Sequence, residues 1–261
     1  MFRCKFATLL LLFITFKAFC QERQTFTKDQ LLRCCVKLIS PKGSGSGVFM
    51  LDNQDLYLIT ASHVAVDIDA SSIIIIDGIN HMPVKIYLAK ISKVINNGLS
   101  WNLHKSADIA ILKLSLTKET EGLKSYGLPL IYFSPKLEAP KRDQELTTFG
   151  FAFGLGDNPK FSPLTMKSYP ASDLININNP TDPKILTTYF FLEGPSIQGY
   201  SGGPVFDLGY QSLGGGTTTA YTGQGTVCYG ILTSTLADNT GGKLGGVIPS
   251  YYLYELLGKT Q

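Results

Sequence analysis

The chain is sparing with the residues that carry most side-chain chemistry: three histidines, one tryptophan, four methionines and five cysteines in 261 residues. Only 16% of it is charged. No apolar run reaches the roughly 20 residues that a bilayer span needs. Cys4 and Cys20 fall in the first 20 residues, which leaves Cys34, Cys35 and Cys228, an odd number and no disulfide framework. One bridge from Cys34 or Cys35 to Cys228 is conceivable after export. Strand neighbours point to opposite faces, so at most one of the pair could reach it, and buried unpaired thiols are favoured.

What is present is apolar mass, 44% of the chain, enough to bury a core as one large or two small domains without metals or multiple disulfides. Residues 1–20, MFRCKFATLLLLFITFKAFC, set Arg3 and Lys5 before a short apolar run from Phe6 to Phe16 and end on small Ala18 and Cys20. This is the layout of a secretory signal peptide. The expected location is therefore secreted or periplasmic, with no stable membrane association after cleavage. A retained anchor, or a lipid on Cys20, is the lesser reading, since Lys17 and Phe19 suit lipid processing poorly. The segment holds Arg3, Lys5 and Lys17 and no acid; taking these three from 23 leaves 20 basic residues against 20 acidic. Nothing in that balance points to nucleic acid.

Beyond Gln21 the chain is a series of short β-branched and aromatic runs divided by Gly, Pro, Asn and Asp, which indicates an all-β fold. Val84, Ile86 and Leu88 alternate with Lys85 and Tyr87, the pattern of a half-buried strand. Helix is expected weakly after His63 and at "SYYLYELLGK", with Ser250 as N-cap and Gly258 as stop. The stretch "SPKLEAPKRDQ", 134–144, reads as a linker between halves 21–133 and 145–261. The segment "LGYQSLGGGTTTAYTGQGT" reads as a long hairpin tip.

Chemistry centres on "IQGYSGGPVF", 197–206, where one serine stands among three glycines. Taken alone, Ser201 fits either a Gly-rich hairpin turn or a nucleophile beside backbone donors at Gly199 and Ser201, brought together by a turn that glycine permits. A serine nucleophile needs a base, and the base needs a group to fix its tautomer. Of the histidines, His63 ends an apolar strand in "YLITASHVA", His81 in "GINHMPV" reads as a turn residue, and His104 in "WNLHKSAD" as a solvated loop residue. Asp108 opens "ADIAILKL", either as a turn residue before a strand or as a carboxylate kept ionised beside an imidazolium. "GYSGG" also fits the nucleophile elbow of α/β-hydrolases, but those place histidine after serine, and here the last is His104.

The three motifs "TASHVA", "ADIAILKL" and "GYSGGPVF", with separations of 45 and 93 residues, resemble the trypsin-like serine proteases of the chymotrypsin fold. The resemblance runs from about Val36 to Leu257. It implies two six-stranded antiparallel β-barrels and a short C-terminal helix, with the site in the cleft between them. It further implies His63 as general base, Asp108 as its orienting acid, Ser201 as nucleophile, and the amides of Gly199 and Ser201 as oxyanion hole. "GSGSGVF", "TTFGFAFG" and "VIPS" are similar to the Deg/HtrA and glutamyl-endopeptidase-like branch, without its appended peptide-binding (PDZ) domain. Digestive trypsins carry an aspartate before the serine, which pairs with a new N-terminus on activation; Tyr200 stands there instead, so no such activation is expected. The substrate pocket by this resemblance has its base at Pro195 and Ser196, and walls from Thr233, Ser234 and Thr235 and around Gly246 and Val247. Lacking an acid at the base, it disfavours cleavage after Lys or Arg. The implied activity is serine endopeptidase action on protein or peptide substrates, with no cofactor and no metal. The rival is a catalytically silent or partner-activated peptide-binding protein on the same fold.

Overall fold

The computed structural model describes residues 23–259 apart from 96–97, 179–182, 214–217 and 222. The expected signal peptide, 1–20, lies outside the described residues. Among them, no helix is long and apolar enough to cross a membrane.

The β-branched runs form strands, as their propensity dictates, and the strands make two large, almost wholly antiparallel sheets. The first runs in the order Pro83–Tyr87, Ile73–Asp77, Cys35–Ser40, Gly43–Asp52, Asp55–Thr60, Ala110–Lys113, Trp101–Leu103. Leu128–Pro129 joins Gly43–Asp52 in parallel and makes eight strands. The second has seven, in the order Leu164–Ser168, Leu146–Gly150, Gly203–Asp207, Val227–Ala237, Lys243–Pro249, Leu186–Leu192, Ile175–Asn178. Residues 134–145 between the sheets contain no strand. The fold is all-β, as the sequence implies.

Each sheet has its own core, around Leu38, Phe49 and Leu58 in the first and Leu146, Phe190 and Val247 in the second. A third cluster joins them, with Cys35, Met50 and Ile59 from one side against Phe149, Phe206 and Leu253 from the other. Two segments cross between the halves. Near the start, Phe26 N–H donates to Thr226 Oγ1 (2.8 Å) and the Gln24 carbonyl accepts the Thr226 N–H (3.1 Å). In the other direction, the helix Tyr251–Leu256 lies against the first half, where Tyr254 OH donates to the Leu130 and Phe133 carbonyls (3.1 and 3.0 Å).

Several local expectations change. Helix Lys28–Leu32 was not signalled by hydrophobic periodicity; a Thr27–Gln30 capping box starts it. Ser250 precedes the last helix but does not cap it, because its hydroxyl donates instead to the Ser134 and Cys228 carbonyls. Gly258, at φ +67°, does follow the helix end. Val84 is exposed despite its alternating pattern, because Pro83–Tyr87 is the sheet's edge strand. The expected hairpin forms, pairing Tyr210–Leu213 with Thr218–Tyr221. Cys34, Cys35 and Cys228 are buried and free. Burial pushes the Cys35 and Cys228 thiols upward in pKa.

Candidate active site

Strand register brings His63 and Asp108 together. Asp55–Thr60 pairs antiparallel with Ala110–Lys113, with Thr60 opposite Ala110, so residues just past Thr60 face residues just before Ala110. There the chain turns into the short helix Ser62–Ala65. Asp108 Oδ1 accepts the His63 N–H at 3.0 Å, and Oδ2 lies 2.7 Å from His63 Nδ1. A carboxylate only accepts, so Nδ1 carries the proton and Nε2 is left with its lone pair. Burial disfavours the imidazolium, but the hydrogen bond and charge of Asp108 outweigh it and raise the His63 pKa above its ordinary value. Tyr189, buried nearby, is pushed up to about 12, by burial first and the Asp108 charge second, and so stays a neutral phenol.

The loop carrying Asp108 is shaped by His104, which is not the solvated residue expected from its polar neighbours. Its side chain is 10% exposed. Nδ1 accepts the N–H groups of Ser106 and Ala107 (3.2 and 3.0 Å), and Nε2 donates to Glu255 (2.8 Å). His81 does sit in a turn, at φ +60° beside Asp77.

Ser201 comes from the second half, in the turn entering Gly203–Asp207. Gly199 has φ +96° and Gly202 φ +91°. A Cβ on Gly199 would stand 2.4 Å from the Phe151 carbonyl oxygen, and one on Gly202 2.0 Å from that of Ser46. Ser46 N–H donates to the Ser201 carbonyl (2.8 Å), and Ser46 Oγ donates to the Gly199 carbonyl (2.6 Å). This binds the turn to a strand of the first sheet. Gly45 on that strand fits between Val64, next to His63, and Ser201: a Cβ there would be 2.7 Å from Val64 Cγ1 and 3.4 Å from the Ser201 carbonyl oxygen. Thus the Ser201 turn and the short helix carrying His63 lie on either side of Gly45, where the halves meet. Ser201 Oγ donates to the Thr233 carbonyl (3.1 Å); among the described residues it makes no bond to His63. Neither the Gly199 nor the Ser201 N–H has a protein acceptor among the described residues. The arrangement therefore offers a hydroxyl, a base held in one tautomer and two free amide donors.

The pocket residues inferred from sequence also gather. Thr235 Oγ1 donates to the Ser196 carbonyl (2.7 Å), and Ser234 pairs with Gly246 across the strands. Gly245 admits the segment before Pro195, since a Cβ there would lie 2.7 Å from the Gly194 carbonyl oxygen. Sequence reasoning gave no role to Ser46 or to the Thr233 carbonyl. Ser46 acts by its hydroxyl on two backbone groups and Thr233 by its own carbonyl, contacts that no residue spacing reveals.

The trypsin-like peptidase domain family matches residues 43–214. No curated protein matches the sequence. Among solved structures, the inactive form of Rv3671c from M. tuberculosis H37Rv, a serine-to-alanine mutant, is similar at TM-score 0.53 and 17% identity, over 89% of this chain and 88% of that one. The HtrA-type protease AlgW with tripeptide is similar at TM-score 0.51 and 16% identity, over 89% of this chain and 63% of AlgW. A serine endoprotease from Yersinia pestis is similar at TM-score 0.50 and 17% identity, over 90% and 66% respectively. At these identities the likeness is one of fold.

Proposed function

The chain belongs to the trypsin-like peptidase family, and from that premise we propose an exported serine endopeptidase in which Ser201, His63 and Asp108 act as nucleophile, base and orienting acid. The observation that carries this reading is the 2.7 Å His63–Asp108 pair beside the Ser201 turn. In the reaction, Ser201 Oγ leaves the Thr233 carbonyl, passes its proton to His63 Nε2 and attacks the peptide carbonyl carbon. Asp108 remains ionised and stabilises the imidazolium. The oxygen that becomes negative is received by the Gly199 and Ser201 N–H groups. His63 then protonates the leaving amine as the C–N bond breaks; water, deprotonated by His63, attacks the acyl carbon, the ester C–O bond breaks, and His63 returns the proton to Ser201 Oγ. No step calls for a cofactor or metal.

The pocket proposed at Pro195, Ser196 and Thr233 to Thr235 offers hydroxyls and no carboxylate, which suits a small apolar or polar side chain. A peptide-library profile dominated by Lys or Arg would refute that specificity. The domain limits 21–133 and 145–261, and removal of 1–20 on export, belong to the same proposal.

Intact-mass analysis of the exported protein after fluorophosphonate treatment tests it. Wild type should gain one adduct, on a chain starting after residue 20, while Ser201→Ala and His63→Ala gain none. A folded wild type that takes no label would favour the rival reading, a silent or partner-activated peptide-binding protein. The observation on that side is the Ser201 hydroxyl engaged with Thr233 rather than with an imidazole.

A further inference from the structure

We infer that Lys37 is a positioning residue for the oxyanion turn. The inference rests on the reading of Ser201 as nucleophile and Gly199 as oxyanion donor.

Tyr200 N–H donates to the Ile197 carbonyl (2.9 Å) while Gly199 has φ +96°. A positive φ at the third residue makes 197–200 a type II turn. Types I and II differ in the direction of the central peptide, here Gln198–Gly199. In a trans peptide the C=O and N–H point opposite ways. The Gln198 carbonyl is taken by the Phe153 N–H at 2.7 Å, so the Gly199 N–H is turned the other way, free for a ligand. Were this peptide flipped, a carbonyl oxygen would stand where the donor stands, and a developing oxyanion would be repelled.

Phe153 therefore selects the competent turn, and its own conformation needs holding. Its φ is +55°, a region that residues with a Cβ occupy only when the surroundings enforce it. The ring, 69% exposed, is not what enforces it. The restraint is on the backbone to either side. Phe151 N–H donates to Ser46 Oγ (2.9 Å), and the Gly154 carbonyl accepts the Lys37 ammonium, which also binds Asp157 Oδ1 at 2.8 Å. The Lys37 side chain is 6% exposed and that of Asp157 20%. A cation in that place is strongly unfavourable unless paired, so the loop must keep both acceptors on it. Lys37 and Ser46 are register partners on adjacent strands, so one point of the first sheet fastens both sides of Phe153. With Tyr200 where trypsins place an aspartate, this buried pair supplies the ordering from the opposite half of the molecule.

The test uses the full chain with Lys37→Met, which keeps the apolar stem, and Asp157→Asn. The readouts are kcat and KM on labelled casein and hydrogen exchange over residues 196–203. Both variants should keep wild-type circular dichroism, exchange faster at 197–201, and lose about a hundredfold in kcat with KM within about twofold, the pattern of a lost oxyanion donor. A purely structural role would lower Tm without that split. If Lys37→Met does not fold, the more exposed Asp157→Asn decides. Wild-type kcat with wild-type exchange in a folded variant overturns the inference. An inactive wild type whose 197–201 exchange still responds to Lys37→Met would sink the peptidase reading and leave the brace standing.

Discussion

At the scale of the residue, His63 is set by burial against the imidazolium and by Asp108, with a smaller share from the Asp67 charge, for it, and the carboxylates win. In the proposed mechanism His63 must be neutral to accept the Ser201 proton, so a raised pKa moves the acid limb of activity upward. The kcat/KM profile of wild type should rise through an inflection above the ordinary imidazole value of 6.5. In Asp108→Asn only the Asp67 charge is left to oppose burial, so the residual activity should inflect at a lower pH than in wild type, with kcat lower by about 10⁴-fold. A limb that does not move between the two proteins would deny Asp108 this role. The pairing of His63 with Asp108 was expected from the motif resemblance, and the small number of histidines narrowed the search. The roles of Ser46 and His104 were not legible in the sequence. Ser46 matters because register sets its hydroxyl between two backbone groups, and His104 because its Nδ1 meets two N–H groups of its own loop.

At the scale of the element, the turn 197–203 depends on close approach of backbones. Gly202→Ala would press a methyl group against the Ser46 carbonyl and Thr60 Oγ1 at a φ of +91°, so the strand Gly43–Asp52 and the turn would have to part. Urea unfolding should register a loss of about 3 kcal/mol, and fluorophosphonate labelling should slow. A variant of wild-type stability would mean the turn relaxes freely. The glycine cluster was visible as a turn signal, but which glycine meets which carbonyl depends on a strand some 150 residues away. The edge strand Pro83–Tyr87 teaches the converse. Its alternation predicted a covered face, and the sheet simply ends there.

At the scale of the whole molecule, each half is tied down by a segment that belongs to the other. The region around Phe26 fastens to Thr226, and the helix Tyr251–Leu256 fastens to Leu130, Phe133 and His104. The cluster joining the two cores adds apolar burial between them. Trp101, the single tryptophan, packs on the core of the first half and reports on it alone. Its fluorescence transition in urea should coincide with the far-UV dichroism transition of all the strands. Two separated transitions would mean that the halves unfold independently and that the crossing segments contribute little. The crossing was not readable in the sequence, because it consists of single contacts between residues far apart along the chain, made to a hydroxyl, two carbonyls and an imidazole.

The three thiols sealed inside this frame turn it into a clock. Cys34, Cys35 and Cys228 are all buried, and the raised pKa values of Cys35 and Cys228 keep those two sulfurs in the unreactive protonated form. An alkylating reagent will thus mark a molecule only after it has opened, and the mass it adds will record that event permanently. Cys35 opens a strand of the first sheet and Cys228 lies in a strand of the second, but all three thiols belong to the cluster that joins the halves, so the marks date the parting of that shared core.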